Sequence, residues 1–343
     1  FKELLDSITV RLKKVFMTEH DLYIFTSSGT GALEASLTNT LSPGDRVLAI
    51  ITGSFGQRYA DMAEAYGAEV IRLDFEWGTP ADPDAVSAAL ENEPNVKAVM
   101  VTHNETSTGV TTDIKAIGKA LRESGHQALL LVDTVSSLAV MDYHHDDWGI
   151  DVTVSGSQKG IMLPPGLCVV AASTRALQAH RSARLPRSYW DWTTQLEFNE
   201  QGVFPYTPAT NLLYGLEEAL CMLREEGLGN VFARHAEFAE ATRAAVHAWG
   251  LELFALNLGE ASSALTAVLV PEGHDADELR AVILDRFDMS LGTGLGDLKG
   301  DLFRIGHLGD LNNLTLMGTL AGVEMGLALT GIPHTKGGVA AAM

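Results

Sequence analysis

Residues 129–137, with the sequence LLLVDTVSS, decide the fold class. Four apolar residues are followed directly by a carboxylate, Asp133, and then by a turn that is rich in hydroxyl groups. A short, continuous apolar run is typical of a strand that is buried on both faces of a parallel sheet. Ligands of such sheets bind at the carboxyl ends of the strands. The segment therefore predicts a central strand of an α/β sheet with a functional group at its end.

The same rhythm extends from this strand in both directions. Other short apolar runs predict strands at 22–25, 47–51, 70–73, 98–101 and 167–171. Helical patterns fall between several of them, at 32–41, 57–66, 83–90 and 114–123. Strands that alternate with helices predict a mostly parallel sheet that is covered on both sides.

The C-terminal part has a different organisation. A long helical stretch, about 211–249, precedes a strand, a helix and a strand at 264–270, 275–287 and 303–305. We therefore predict an α/β protein of two domains. A large domain, 1–240, contains the mostly parallel sheet between helices, and a smaller α+β domain comprises 241–343.

Composition excludes several classes of partner. The chain has 343 residues, and 24 Lys and Arg against 44 Asp and Glu give a net charge of −20. This charge argues against binding to nucleic acid or to an anionic membrane, because both need clustered cations. Cys168 and Cys221 are far apart and form no metal or disulfide motif, which favours a reducing, cytoplasmic setting. The sequence starts at Phe1 inside a helical pattern, so we expect residues upstream and leave an organelle signal open.

Four polar segments follow predicted strands. They are SSGTG (27–31), HNETSTG (103–109), DTVSS (133–137) and TVSGSQKG (153–160). In the first, glycines and hydroxyls at a helix start suit a phosphate group, although an ordinary capped turn has the same pattern. Asp133 needs a cationic partner if it is buried, or else it is a helix cap. Lys159 is either a loop lysine or a desolvated amine that forms a Schiff base.

Taken together, the segments are more specific than any one of them. A phosphate cradle, a carboxylate and a Schiff-base lysine are the three contacts that pyridoxal 5'-phosphate requires. No metal site is predicted. In this order the segments resemble the class V aminotransferases of pyridoxal-phosphate fold type I, and most closely the serine–glyoxylate and alanine–glyoxylate aminotransferases. The resemblance extends over essentially the whole chain and includes FPYTP (204–208), NVFARH (230–235) and FRIGHLG (303–309).

The resemblance implies a role for each matching residue. Lys159 is expected to be the catalytic lysine that binds the cofactor and moves the substrate proton. Arg304 is expected to bind the substrate α-carboxylate, for which its planar guanidinium is suited. The residues expected to bind the cofactor are Ser28, Gly29, Thr30 and Gln158 at the phosphate, Asp133 at the ring nitrogen, Phe55 and Val135 at the ring faces, Thr106 near the ring oxygen or the substrate, and Tyr206 and Thr207 from a partner subunit.

The expected reaction is transfer of an amino group from a small L-amino acid to glyoxylate, which gives glycine and a 2-oxo acid. L-Serine is the first choice of donor, and L-aspartate and L-alanine are alternatives. Arg184 and Arg187 could recognise a second carboxylate, which would favour aspartate, or they could be surface charges. The resemblance also implies a homodimer, with a tetramer as the alternative, in which active sites are shared between subunits.

Other functions of the same fold are weaker alternatives. A cysteine desulfurase needs a nucleophilic cysteine on a mobile loop, whereas Cys168 and Cys221 fall in a predicted strand and a predicted helix. A regulator that only binds the cofactor would usually carry a DNA-binding module, and none is evident. A decarboxylase or an aldolase would share Lys159 and Asp133, so the sequence alone leaves such a lyase open.

Overall fold

A computed structural model describes all residues from Phe1 to Met343. The N-terminal part contains α1 (Lys2–Phe16), β1 (Asp21–Ser27), α2 (Gly29–Thr40), β2 (Arg46–Ile51), α3 (Ser54–Ala65), β3 (Glu69–Asp74), α4 (Pro83–Asn92), β4 (Val96–Thr102), β5 (Asn104–Glu105), β6 (Val110–Thr111), α5 (Ile114–Glu123), β7 (Leu129–Asp133), β8 (Val152–Gly156), β9 (Gly166–Ala172), α6 (Thr174–Ser182), α7 (Trp192–Glu200) and α8 (Thr210–Glu226). The C-terminal part contains α9 (Leu228–Trp249), β10 (Glu252–Leu253), β11 (Leu265–Leu269), α10 (Ala276–Phe287), β12 (Gly292–Thr293), β13 (Leu302–Gly306), α11 (Asn313–Leu329) and α12 (Gly338–Ala342).

The central sheet has seven strands in the order β1-β9-β8-β7-β4-β2-β3. The pairs among β8, β7, β4, β2 and β3 are parallel, whereas β9 is antiparallel to both of its neighbours, β8 and β1. The prediction of a mostly parallel sheet between helices is confirmed. The ends of β4, β7 and β8 lie at the same edge, which is where the polar segments begin.

Hydrophobic residues cover both faces of this sheet. Along β7, Leu130 and Val132 point into a core formed with α1, α4, α5 and α8. Leu129 and Leu131 point into the opposite core, formed with α2, α3, α6 and α7. Successive side chains of a strand point to opposite faces, so a strand that is covered on both sides must be apolar throughout. This arrangement explains the continuous apolar runs of the sequence.

The long helix expected over 211–249 is two helices in the structure. Gly227, which has a φ of 81°, lies between α8 and α9. This left-handed conformation is strained for residues with a Cβ atom, and glycine adopts it readily. The helical periodicity continues across the break, so the pattern alone concealed it.

The C-terminal part has its own sheet and core. Its antiparallel strands have the order β10-β11-β13-β12. They pack with α9, α10 and α11 around a separate cluster that includes Phe238, Trp249 and Phe303. Within α9, Val231 belongs to the core of the large sheet and Phe238 to the smaller core. We therefore propose a division near residue 240, into 1–240 and 241–343. None of the helices combines the length and the apolar character needed to cross a membrane.

Candidate active site

The polar segments converge at the carboxyl edge of the large sheet. A Cβ atom placed on Gly29 would lie 2.6 Å from Cγ2 of Val135, and one placed on Gly156 would lie 3.4 Å from the backbone nitrogen of Gly29. The turn after β1 therefore contacts both the segment after β7 and the end of β8. The carbonyl oxygen of Lys159 would lie 3.3 Å from a Cβ atom on Gly309, so the smaller domain also reaches this edge.

The turn after β1 leaves polar groups free at the start of α2. Ser28 occupies the N-cap position, but its side chain makes no capping hydrogen bond. The first backbone N–H groups of a helix have no partner within the helix, and they favour an anion. Nearby, Oε1 of Gln158 is buried without a hydrogen-bond partner and would lie 3.0 Å from a Cβ atom on Gly156. Hydroxyl, amide and backbone donors around a glycine backbone fit a phosphate group.

Asp133, at the end of β7, is a buried carboxylate. It is only 4% exposed, and its Oδ1 accepts a hydrogen bond from the backbone N–H of Val135 at 2.8 Å. Burial raises the pKa of Asp133 from 3.8 to about 7, and the nearby Glu105 adds to this rise. Ionisation of Asp133 is therefore costly unless a cation is placed against it. A protonated ring nitrogen is such a cation.

Lys159 lies three residues beyond the end of β8, within the electrostatic influence of Asp133 and Arg304. Burial lowers the pKa of Lys159, the positive charge of Arg304 lowers it further, and Asp133 opposes the change. A lowered pKa increases the fraction of neutral amine, which is the nucleophilic form. The charges of both Asp133 and Arg304 thus act on Lys159.

Arg304 extends from β13 of the smaller domain to the large domain. Its Nε donates to the carbonyl oxygen of Thr293 at 2.8 Å, and its Nη1 donates to the carbonyl oxygen of Thr106 at 2.7 Å. Its Nη2 donates no hydrogen bond to the protein. Burial lowers the pKa of Arg304, while the negative charge of Glu105 raises it. The guanidinium is therefore held in a fixed orientation with one donor nitrogen free.

Thr106 and Phe55 form further parts of this edge. The Thr106 hydroxyl donates to Oγ of Ser136 at 2.8 Å. Phe55 lies in the first turn of α3, and the guanidinium carbon of Arg58 lies 5.0 Å from the centroid of its ring. Both side chains of the predicted set thus lie on segments that border the site.

Tyr206 and Thr207 lie on a segment near Tyr189, and Tyr206 contacts residues other than Lys159 and Asp133. Tyr206 is 39% exposed, and its ring stacks on that of Tyr189 at 4.9 Å. Its hydroxyl donates to the carbonyl oxygen of Ser188 at 3.1 Å. Within one chain these contacts do not include Lys159 or Asp133, so the role of Tyr206 and Thr207 in a partner's site stays a prediction.

Glu105 was missed as a site residue by the sequence reasoning. Its carboxylate is buried and accepts hydrogen bonds from the backbone of Phe55 and Gly56. The available signal was its place between Asn104 and Thr106 in the polar segment after β4. His103, by contrast, packs against Tyr143 and Trp148, and burial lowers its pKa to about 3. A structural role for His103 is consistent with this packing.

Arg187 is fully engaged inside the protein, which contradicts its suggested role at a second substrate carboxylate. Its Nε pairs with Asp191 at 3.0 Å. Its Nη1 and Nη2 donate to the carbonyl oxygens of Thr38, Ala183 and His180. These carbonyl groups lie at or near the C-terminal ends of α2 and α6, where backbone acceptors lack helical partners. Arg184 is exposed, and the structure gives its side chain no comparable partners.

We expect Arg187→Ala to lower stability without changing the choice of amino donor. Loss of these hydrogen bonds should cost about 2 kcal/mol in the free energy of unfolding. The measurement is denaturant unfolding, together with kcat/KM for serine and aspartate. Arg184→Ala is the control and should leave stability nearly unchanged. A selective loss of aspartate activity in Arg187→Ala, with unchanged stability, would restore the recognition role.

The chain is similar to known proteins in both sequence and fold. The model of the family described as aminotransferase class-V matches residues 1–294. Serine–glyoxylate aminotransferase of Methylorubrum extorquens is 49% identical over 339 residues, which cover 96% of this chain and 84% of that protein. L-Aspartate–glyoxylate aminotransferase of Paracoccus denitrificans is 44% identical, covering 96% of this chain and 85% of that one. The crystal structure of ureidoglycine–glyoxylate aminotransferase from Bacillus subtilis matches with a TM-score of 0.94 and 30% identity, covering 100% of this chain and 89% of that one.

Proposed function

The chain belongs to the class V aminotransferases, and from this premise we propose that it transfers the amino group of L-serine to glyoxylate with pyridoxal 5'-phosphate as cofactor. The observation that carries the cofactor assignment is Asp133, a carboxylate whose burial is costly without a cation beside it. L-Aspartate and L-alanine stay as alternative donors. The engagement of Arg187 inside the protein removes one argument for aspartate.

Each group at the site has a chemical task in this proposal. When bound, the cofactor supplies an aldehyde that reacts with amines and a protonated ring that withdraws electrons. Lys159 would bind the aldehyde through Nζ and then move the proton at the substrate Cα. Asp133 would keep the ring nitrogen protonated, and Arg304 would bind the substrate α-carboxylate. The remaining contacts would come from Ser28, Gly29, Thr30 and Gln158 at the phosphate, Phe55 and Val135 at the ring faces, and Thr106 near the ring oxygen.

The structural fit of these residues to the cofactor rests on two features. Gly29 has no room for a side chain because Val135 lies against it, so the backbone of the turn stays open to a phosphate. Gln158 lies in the same place, and its amide NH2 group can donate to a phosphate oxygen.

Sulfur chemistry is disfavoured by the environment of both cysteines. Cys168 is completely buried in β9, and burial raises the pKa of its thiol to about 12. Cys221 lies within α8 and not on a loop. A thiol acts as a nucleophile in its ionised form, so neither cysteine is suited to the role that a desulfurase requires.

We also infer a homodimer in which Tyr206 and Thr207 contribute to the partner's site, as the family resemblance implies. The exposure of Tyr206, and its stacking on the equally accessible Tyr189, support an interface on this side of the chain. Aromatic residues are enriched in protein interfaces.

An absorbance titration tests the proposed reaction directly. We expect the purified protein with pyridoxal 5'-phosphate to show a visible band that L-serine bleaches and glyoxylate restores. Repeating the titration with L-aspartate and L-alanine ranks the donors. Failure to form any band after the cofactor is supplied would refute the cofactor assignment. A band that no amino acid bleaches would refute transamination while leaving the cofactor in place.

A further inference from the structure

The carboxylate of Glu105 is 1% exposed and collects hydrogen bonds from two segments. Its Oε2 accepts from the backbone N–H groups of Phe55 and Gly56, both at 3.1 Å. Its Oε1 accepts from the backbone N–H of Ser107 at 3.0 Å and from the Ser107 hydroxyl at 2.6 Å. Burial raises the pKa of Glu105, and these hydrogen bonds oppose that rise; since every one of the partners donates, the arrangement suits an ionised carboxylate.

These bonds cap the start of α3. The first N–H groups of a helix need external acceptors, and a negative charge there is favourable. Here the acceptor comes from residue 105 and not from the N-cap residue, Gly53, which has no side chain. The Ser107 hydroxyl also accepts from the backbone N–H of Ser54 at 3.0 Å. The first turn of α3, and with it the ring of Phe55, is therefore attached to the segment 105–107.

The contact between the two segments leaves no spare space. A Cβ atom on Gly53 would lie 2.5 Å from Cγ of Glu105 and 2.5 Å from the Ser107 hydroxyl. Only glycine allows this close approach at residue 53. If the Glu105 side chain were displaced, the N–H groups of Phe55 and Gly56 would be left without acceptors.

The same segment is also attached to the smaller domain. The carbonyl oxygen of Thr106 accepts from Nη1 of Arg304 at 2.7 Å. Glu105 is the negative charge that most favours the protonated form of Arg304. Segment 105–107 thus connects Phe55, the expected contact at the cofactor ring, with Arg304, the expected contact at the substrate carboxylate.

We propose that Glu105 is a positioning residue for the reaction, and that it holds Phe55 and Arg304 in a fixed relation through segment 105–107. The inference rests on the proposed function, because it takes Phe55 as a cofactor contact and Arg304 as the substrate-carboxylate contact. Glu105 touches neither ligand itself and acts through these two residues.

The test is Glu105→Gln, which keeps the shape but places an amide NH2 group among N–H donors. We expect the dissociation constant of pyridoxal 5'-phosphate, measured by fluorescence titration, to rise about tenfold. The KM values for L-serine and glyoxylate should both rise by a similar factor, because both substrates use Arg304, while kcat falls less. Unchanged cofactor affinity and unchanged KM values would overturn the proposal.

A double-mutant cycle separates positioning from general damage. If Glu105 acts on the cofactor through Phe55, Glu105→Gln should weaken cofactor binding much less in a Phe55→Ala background than in the wild type. Equal losses in both backgrounds would contradict this route. Wild-type protein that binds no cofactor would instead refute the proposed function, so the two failures are distinguishable.

Glu324→Gln is the matched control. Glu324 lies in α11 of the smaller domain, away from the site, and it also accepts from two backbone N–H groups at a helix start, those of Gly337 and Gly338 at α12. The Glu324→Gln substitution should lower stability and leave cofactor affinity and the KM values unchanged. Equal effects of Glu324→Gln and Glu105→Gln on these constants would refute a specific role of Glu105. If Glu105→Gln fails to fold, Ser107→Ala is the second variant, because it keeps the carboxylate of Glu105. It should raise the dissociation constant of the cofactor and the two KM values by a smaller factor than Glu105→Gln. No change in Ser107→Ala would then count against the proposal.

Discussion

Replacing Lys159 by alanine is expected to lower turnover by about 10⁴-fold or more, which is the largest effect of any single change at the site. The substitution removes the amine that would bind the cofactor aldehyde and the group that would move the substrate proton. The remaining site keeps the contacts of Asp133 and of the glycine turn, so the cofactor should still bind. The measurement is steady-state turnover with L-serine and glyoxylate, together with the absorbance spectrum.

The control for this variant is Lys119→Ala. Lys119 is an exposed lysine of α5 that pairs only with Glu123 at 3.8 Å. Its loss should leave turnover and the spectrum unchanged, because exposed ion pairs contribute little. Turnover of Lys159→Ala at the wild-type rate would show that another residue carries the chemistry.

Replacing Asp133 by asparagine is expected to raise the activation barrier by about 3 kcal/mol, which corresponds to more than a hundredfold in kcat. The amide keeps the shape of the side chain and removes the negative charge that would stabilise a protonated ring nitrogen. Turnover with L-serine and glyoxylate measures this effect. A variant with wild-type kcat would contradict the assignment of Asp133.

The same variant carries a readout that is independent of turnover. Because burial raises the pKa of Asp133 from 3.8 to about 7, the folded protein binds more protons here than the unfolded chain between these values. This contribution to stability therefore falls as pH rises from about 4 to about 7. Asparagine has no such cost, so the cofactor-free variant should be more stable than the wild type at pH 8 by a few kcal/mol. Denaturant unfolding at pH 5 and pH 8 measures the difference.

The sequence predicted the features that depend on local pattern. β7 is apolar throughout because it is covered on both faces, and Asp133 follows it at the sheet edge. The direction and pairing of the strands could not be predicted in this way, because nothing in the residues of β9 indicates that it is antiparallel to β8 and β1. The break at Gly227 was hidden because the helical periodicity continues on both sides.

Side-chain roles that depend on distant backbone groups were also beyond the sequence. Arg187 looked like a free cation, yet it binds carbonyl groups of residues that include Thr38, far away in the chain. Glu105 looked like one polar residue among several, and only the fold places it beneath the start of α3. The contributions of Tyr206 and Thr207 are expected across a subunit interface, and within the chain Tyr206 contacts Tyr189 and Ser188 instead.

The pairing of β1 has a consequence for the order of events during synthesis. β1 pairs with β9 alone in the large sheet, so residues 21–27 wait for residues 166–172 before they gain a partner. A nascent chain that ends before residue 172 therefore exposes an unpaired apolar strand, which is prone to aggregation. Residues up to 172 must therefore emerge from the ribosome before β1 is paired, and Arg304 of β13 joins the site only later, so a chaperone would act most usefully before β9 is synthesised.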